Sequence, residues 1–157
     1  MEESQYAVRN GDHRLEYFTG VAFIILGGLV AAVTSPLQIE KGSWLAAYLV
    51  LIAGVAQCLL SKQPEFLALR TAASGGLWIR YTTWNLGNLL VVIGALTSQP
   101  IITDIGGAIL IIRLVQALLD TRGSTQKLRA NILRVIYLIL IVSVPNGLVL
   151  THLRSME

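Results

Sequence analysis

Charge is what this chain has least of. Only 13% of its 157 residues are Asp, Glu, Lys or Arg, about half the share of roughly 25% that lets a soluble domain cover itself in water. Cysteine is scarcer still: Cys58 stands alone, so no intrachain disulfide can form and the redox compartment is not legible. Of the two histidines, His13 precedes the first apolar run and His152 follows the last, which excludes a haem clamped between histidines inside a membrane. Walker A, GxGxxG, HExxH, CxxC and GxSxG patterns are missing, as is any N-x-[ST] acceptor. No catalytic residue, metal ligand or cofactor is expected, and the reading leans away from an enzyme.

What fills the chain is apolar sequence. Hydrophobic residues make up 54% of it, with a mean hydropathy of +0.66, and they gather in runs long enough for a hydrocarbon core of about 30 Å. The fold expected is all-α: a polytopic membrane protein of five transmembrane helices. Residues 1–13 read as a polar N-terminal tail, 14–151 as one transmembrane domain and 152–157 as a short C-terminal tail. The first span covers 14–35 and stops at Thr34-Ser35-Pro36, since proline cannot continue a helix and disfavours it one residue earlier. Its apolar run exceeds a signal-peptide core, so it reads as a retained helix.

The second span covers 44–60. Residues 61–76 are too polar to cross, and with Pro64 at a first helical position and Gly75-Gly76 at the end they read as a short interfacial helix. The third span, 77–98, carries Arg80, Tyr81, Trp84, Asn85 and Asn88 in its first half. The fourth covers 101–119 and the fifth about 131–150, with Pro145 near its far end. A four-span reading would make the fifth peripheral.

Five spans place Arg9, Arg14, Lys62, Arg70, Arg80, Arg113, Arg122, Lys127, Arg129 and Arg134 on one side, with only Lys41 and Arg154 opposite. By the positive-inside rule the N-terminus is cytoplasmic. The net charge of +3 is therefore an orientation signal and no nucleic-acid partner is expected. A weak repeat links the hairpins: Thr34-Ser35-Pro36 resembles Thr97-Ser98-Gln99-Pro100, and Gln57-Cys58-Leu59-Leu60 resembles Gln116-Ala117-Leu118-Leu119. Both hairpins would enter from one side, giving a parallel 2+2+1 arrangement.

Polar residues inside the spans are the candidate site. Asn85 and Asn88 share a face with Tyr81 and Val92. Arg113 lies roughly 9 Å inside the end of its span at 1.5 Å per residue, and such a residue faces protein, a partner or water. Glu16 is its expected contact by depth. With Gln57 and Gln116 these residues form a polar cluster in the cytoplasmic half, read as packed in preference to an open cavity or a headgroup site. Arg122, Lys127, Arg129 and Arg134 are candidate contacts for anionic lipid, and in the favoured view they act as topology determinants. Gly27-x3-Ala31, Gly28-x3-Ala32, Ala53, Gly54 and Ala56 permit close helix packing, within the bundle or against a partner.

The function expected is a non-catalytic accessory or assembly subunit of a larger membrane complex. The alternatives are a small transporter or channel with a polar cavity and, behind it, a lipid-modifying protein. Partners would be the bilayer and other subunits or further copies, in a bacterial plasma membrane.

Overall fold

The apolar periodicity resolves into helices alone. In a computed structural model that describes residues 2–68 and 74–154, five helices and no strand occur among the described residues: α1 (Glu2–Thr34), α2 (Gly42–Phe66), α3 (Ser74–Leu96), α4 (Pro100–Asp120) and α5 (Lys127–Arg154). A 3-10 turn, Thr121–Gly123, follows α4. Side chains are described over 14–68, 76–122 and 124–144. Within α2, Leu49–Ala56 is wound as π-helix.

Among the described residues, three stretches are long and apolar enough to cross a membrane: Arg14–Thr34, Gly42–Phe66 and Pro100–Asp120. At 1.5 Å per residue they extend about 32–38 Å, the thickness of a hydrocarbon core or slightly more. In α3 the first half dilutes the apolar run with Arg80, Asn85 and Asn88. In α5 the start does so with Lys127, Arg129 and Arg134.

Contacts divide the chain into two compact units, one made of residues 1–63 and 72–81, the other of 64–71 and 82–157. In the first, α1 and α2 form an antiparallel hairpin held at glycine. A Cβ on Gly20 would stand 2.7 Å from the Cys58 Sγ and 2.9 Å from the Gly54 carbonyl oxygen, and one on Gly27 would stand 2.9 Å from the Ala46 carbonyl oxygen. In the second unit, α3 and α4 approach in the same way: a Cβ on Gly106 would stand 2.7 Å from the Val91 nitrogen and 2.8 Å from the Gly87 oxygen. Helix α5 then packs along α4.

Both hairpin turns end their first helix with one device. Ile39 N–H donates to the Thr34 carbonyl at 3.1 Å and Gln99 N–H to the Gly94 carbonyl at 2.8 Å. The residue before each donor, Gln38 (φ 49°) or Ser98 (φ 53°), is left-handed. These six-to-one bonds over a left-handed residue are Schellman closures. They pair Thr34 with Gly94, so the threonines matched in sequence are not equivalent in the turns. Pro100 then starts α4 at its first helical position, where the missing N–H costs nothing.

Several boundaries move. The first membrane-length stretch is Arg14–Thr34, within a residue of the 14–35 expected, but its helix extends back beyond it to Glu2, because an established helix adds one hydrogen bond per residue as it propagates through a merely neutral sequence. The interfacial helix expected over 61–76 is not seen: residues 61–66 continue α2 with Pro64 inside its last turn, and 69–73 lie outside the described residues. Pro64 cannot donate to the carbonyl four residues back, so one rung of the ladder is missing at this end of the helix. Helix α5 likewise runs through Pro145 to Arg154.

Candidate functional site

In the first unit the glycine contacts bring the middle of α1 against the second half of α2, and polar side chains are buried there. Glu16, Gln57, Ser61 and Gln63 are all buried. Ser61 Oγ donates to its own helix at the Cys58 carbonyl (2.8 Å), and Cys58 Sγ donates weakly across the hairpin to the Tyr17 carbonyl (3.7 Å). Thr19 Oγ1 donates to the Leu15 carbonyl (2.8 Å) and lies 3.2 Å from the Tyr81 hydroxyl, tying α1 to the start of α3. The Lys62 ammonium stands over the Tyr17 ring, 5.7 Å from its centroid, a cation–π contact.

Gln57 differs from its neighbours. Its side chain is 0% exposed, and neither Nε2 nor Oε1 has a hydrogen-bond partner. An amide group held so in apolar surroundings costs roughly 2–7 kcal/mol, depending on the reference state. It comes directly after the π-wound stretch, where Ile52, Ala53, Gly54 and Ala56 are all buried. That is wider than the single stripe of an ordinary amphipathic helix.

The second unit handles its polar groups otherwise. Asn88 is buried, and its Nδ2 donates to the Trp84 carbonyl four residues back at 2.9 Å. Arg113 is buried between the fully buried Leu110 and Leu114 of its own helix face. Thr103 Oγ1 bonds the Gln99 carbonyl at 3.2 Å. Fully buried Trp84 has its Nε1 without an acceptor.

Where α4 meets α5, Arg134 organises the junction. Its Nε donates to Thr121 Oγ1 (2.8 Å), Nη2 to the Thr121 carbonyl (3.3 Å) and Nη1 to Asn131 Oδ1 (3.1 Å). Thr121 itself is 0% exposed and donates to the Leu118 carbonyl. A guanidinium at a helix C-terminus both satisfies last-turn carbonyls and suits the helix dipole. Ser124 Oγ bonds the Leu67 carbonyl (3.1 Å) and accepts from Gln126 N–H (3.0 Å).

The six residues of the expected polar cluster therefore do not share one fate. Glu16 and Gln57 are buried in the first unit, and Asn88 and Arg113 in the second, whereas Asn85 is half-buried and Gln116 exposed. Of the four basic candidates, Arg122, Lys127 and Arg129 are exposed, while Arg134 is half-buried and holds Thr121. The small residues split too. Gly27 meets α2, but a Cβ on Gly28 would have nothing within 4 Å, and Ala31 and Ala32 are exposed.

Sequence reasoning missed Gly20, Thr121 and Arg134 as structural pieces, and it passed over the π-helix. The seven-residue step from Gly20 to Gly27 signals the first; nothing local marks the others. Among the described residues no group of three or more His, Cys, Asp or Glu is placed to hold a metal. Compared with known families, characterised proteins and solved structures, the chain matches none.

Proposed function

We propose that this chain is a non-catalytic accessory or assembly subunit that packs against a larger membrane protein complex. The observation that carries the reading is the outward face of α1. Only 17% of that helix's most apolar stretch is buried, against 39% in α2 and α4, and the uncovered face presents Gly28, Ala31 and Ala32 beside Ile25 and Leu29. Small residues in such a row let a second backbone approach closely, which lipid chains have no need of.

The reading includes five spans with the N-terminus cytoplasmic, in a bacterial plasma membrane. The one-sided basic residues support it, as do aromatic pairs at helix ends. Trp44 stacks on Tyr48 at 5.3 Å near the start of α2, and Trp78 meets Tyr81 edge-on at 5.9 Å near the start of α3. Such residues favour the membrane–water boundary. Arg122, Lys127 and Arg129 would then face anionic headgroups.

Purification in mild detergent tests this. The wild-type chain should come out with partner subunits, and Gly28→Leu should fold but come out alone. A wild-type chain that always runs alone overturns the reading. A second reading, a small transporter or channel, is favoured by the burial of Glu16, Gln57, Asn88 and Arg113 within the spans, because ionisable and amide groups inside a membrane mark substrate paths by default.

A further inference from the structure

Two unusual features of α2 lie end to end. Leu49–Ala56 is wound as π-helix over eight residues, whereas π turns ordinarily come singly inside an α-helix and are frequent at functional sites. Gln57, the next residue, is wholly enclosed with both ends of its amide unpartnered. Neither feature recurs in the second hairpin, where α3 and α4 are wound as α-helix and the buried Asn88 amide bonds its own helix.

One movement relieves both. A π turn holds about one residue more than an α turn, because its hydrogen bonds reach five residues along the chain instead of four. Rewinding one such turn as α-helix therefore advances every later residue by about one step, roughly 100° about the helix axis. Gln57 then points where Cys58 points now. An acceptor lies in that direction: the Cys58 Sγ donates weakly to the Tyr17 carbonyl of α1, at 3.7 Å, and an amide N–H is the stronger donor. The packing admits both settings. At the close approach to Gly20 the residue now facing α1 is Gly54, whose Cβ would stand 3.1 Å from the Gly20 carbonyl oxygen. One step on, its place is taken by Ala53, whose methyl fits once the Ile24 side chain gives way.

We propose that α2 is a two-position helix. In one setting Leu49–Ala56 is π-wound and Gln57 is enclosed, as described above. In the other, one π turn has become α-helix, the half of α2 from Gln57 onward is rotated by about one residue, and the Gln57 amide donates to the Tyr17 carbonyl. The rotation also turns Lys62 away from the Tyr17 ring that it now covers, so the end of α2 presents a different face to α1. This inference goes beyond the subunit reading and does not depend on it.

The full chain in lipid nanodiscs, labelled with nitrogen-15, tests this by NMR. In the wild type the Gln57 side-chain amide and the backbone amides of 50–60 should report two states, as doubled resonances or as relaxation dispersion on the microsecond-to-millisecond scale. The amides of α4 should report one. Deleting Val55 removes the residue that a π turn holds in excess, which leaves little π winding to undo, and the second state should vanish. Gln57→Leu has no amide to reach Tyr17 and should lower the population of the second state about fivefold, as the loss of one hydrogen bond does. That variant serves alone if the deletion does not fold. A single state over 50–60 in the wild type overturns the proposal, as does exchange of equal size in α4. So does an exchange that Gln57→Leu leaves unchanged or that persists undiminished after the deletion. Gly28→Leu reads assembly and not winding, so the two proposals fail separately.

Discussion

The two hairpins solve one packing problem with the parts exchanged. In the first, a threonine at the end of α1, Thr34, lies against a glycine that opens α2, Gly42. In the second, a glycine near the end of α3, Gly94, lies against Thr103 in the first turn of α4. Each threonine bonds its own helix four residues back, Thr34 to Val30 at 2.6 Å and Thr103 to Gln99 at 3.2 Å. Each turn closes over a left-handed residue that is not glycine. Their interiors diverge, since the second hairpin returns the Asn88 amide to its own helix whereas the first leaves Gln57 open. A shared frame evidently fixes helix spacing and turn geometry while leaving the polar content free to differ.

The sharpest way to break the parallel is to add bulk at the close approaches. Gly20→Val and Gly106→Val should each destabilise by about 3 kcal/mol, the upper end for overpacking, because each new Cβ meets backbone atoms of the facing helix. Gly28→Ala, one residue from the packed Gly27, should instead be neutral or raise stability by up to about 1 kcal/mol through helix propensity. Thermal melting in detergent followed by circular dichroism reads all three. If Gly20→Val and Gly106→Val differ widely, the hairpins are not packed alike.

A smaller effect is expected at the junction that only the second unit has. Arg134→Leu removes three hydrogen bonds from a charged donor and strands the buried Thr121, so a loss of about 2 kcal/mol should appear in the same melts. Arg129→Leu, at an exposed site, should stay within about 0.5 kcal/mol.

The smallest effect sharpens the comparison most. Replacing a left-handed residue by glycine relieves a steric cost of roughly 1–2 kcal/mol, offset in part by glycine's extra freedom in the unfolded chain. Gln38→Gly and Ser98→Gly should each gain about 0.5 kcal/mol, and by similar amounts. A gain at one and a loss at the other would show that the turns only look alike.

Much of this frame was legible beforehand because it rests on run length and punctuation. The fourth span, read as 101–119, is Pro100–Asp120, and the end of α1 falls at Thr34, next to Ser35-Pro36, as proline demands. Local signals mark where a span lies and not how far its helix continues: α1 extends back to Glu2 beyond the stretch Arg14–Thr34, and α2 continues through Pro64. Depth of polar residues could be read from position, but their facing could not. Gln57 and Gln116 look equivalent in sequence, yet one is enclosed and the other exposed. Eight π-wound residues in α2 rotate the facing of every later residue in that helix, and the run LVLIAGVA carries no sign of the winding. The partnership of Arg134 with Thr121 was hidden because it joins different elements across a turn.

That partnership has a mechanical side. With Arg134 bolted to Thr121 and Ser124 fastened to Leu67, the connection from α4 to α5 is a bracket and not a tether. Arg122, Lys127 and Arg129 ride on it as exposed positive charges. A force that tilts α5 must therefore drag the end of α4 with it.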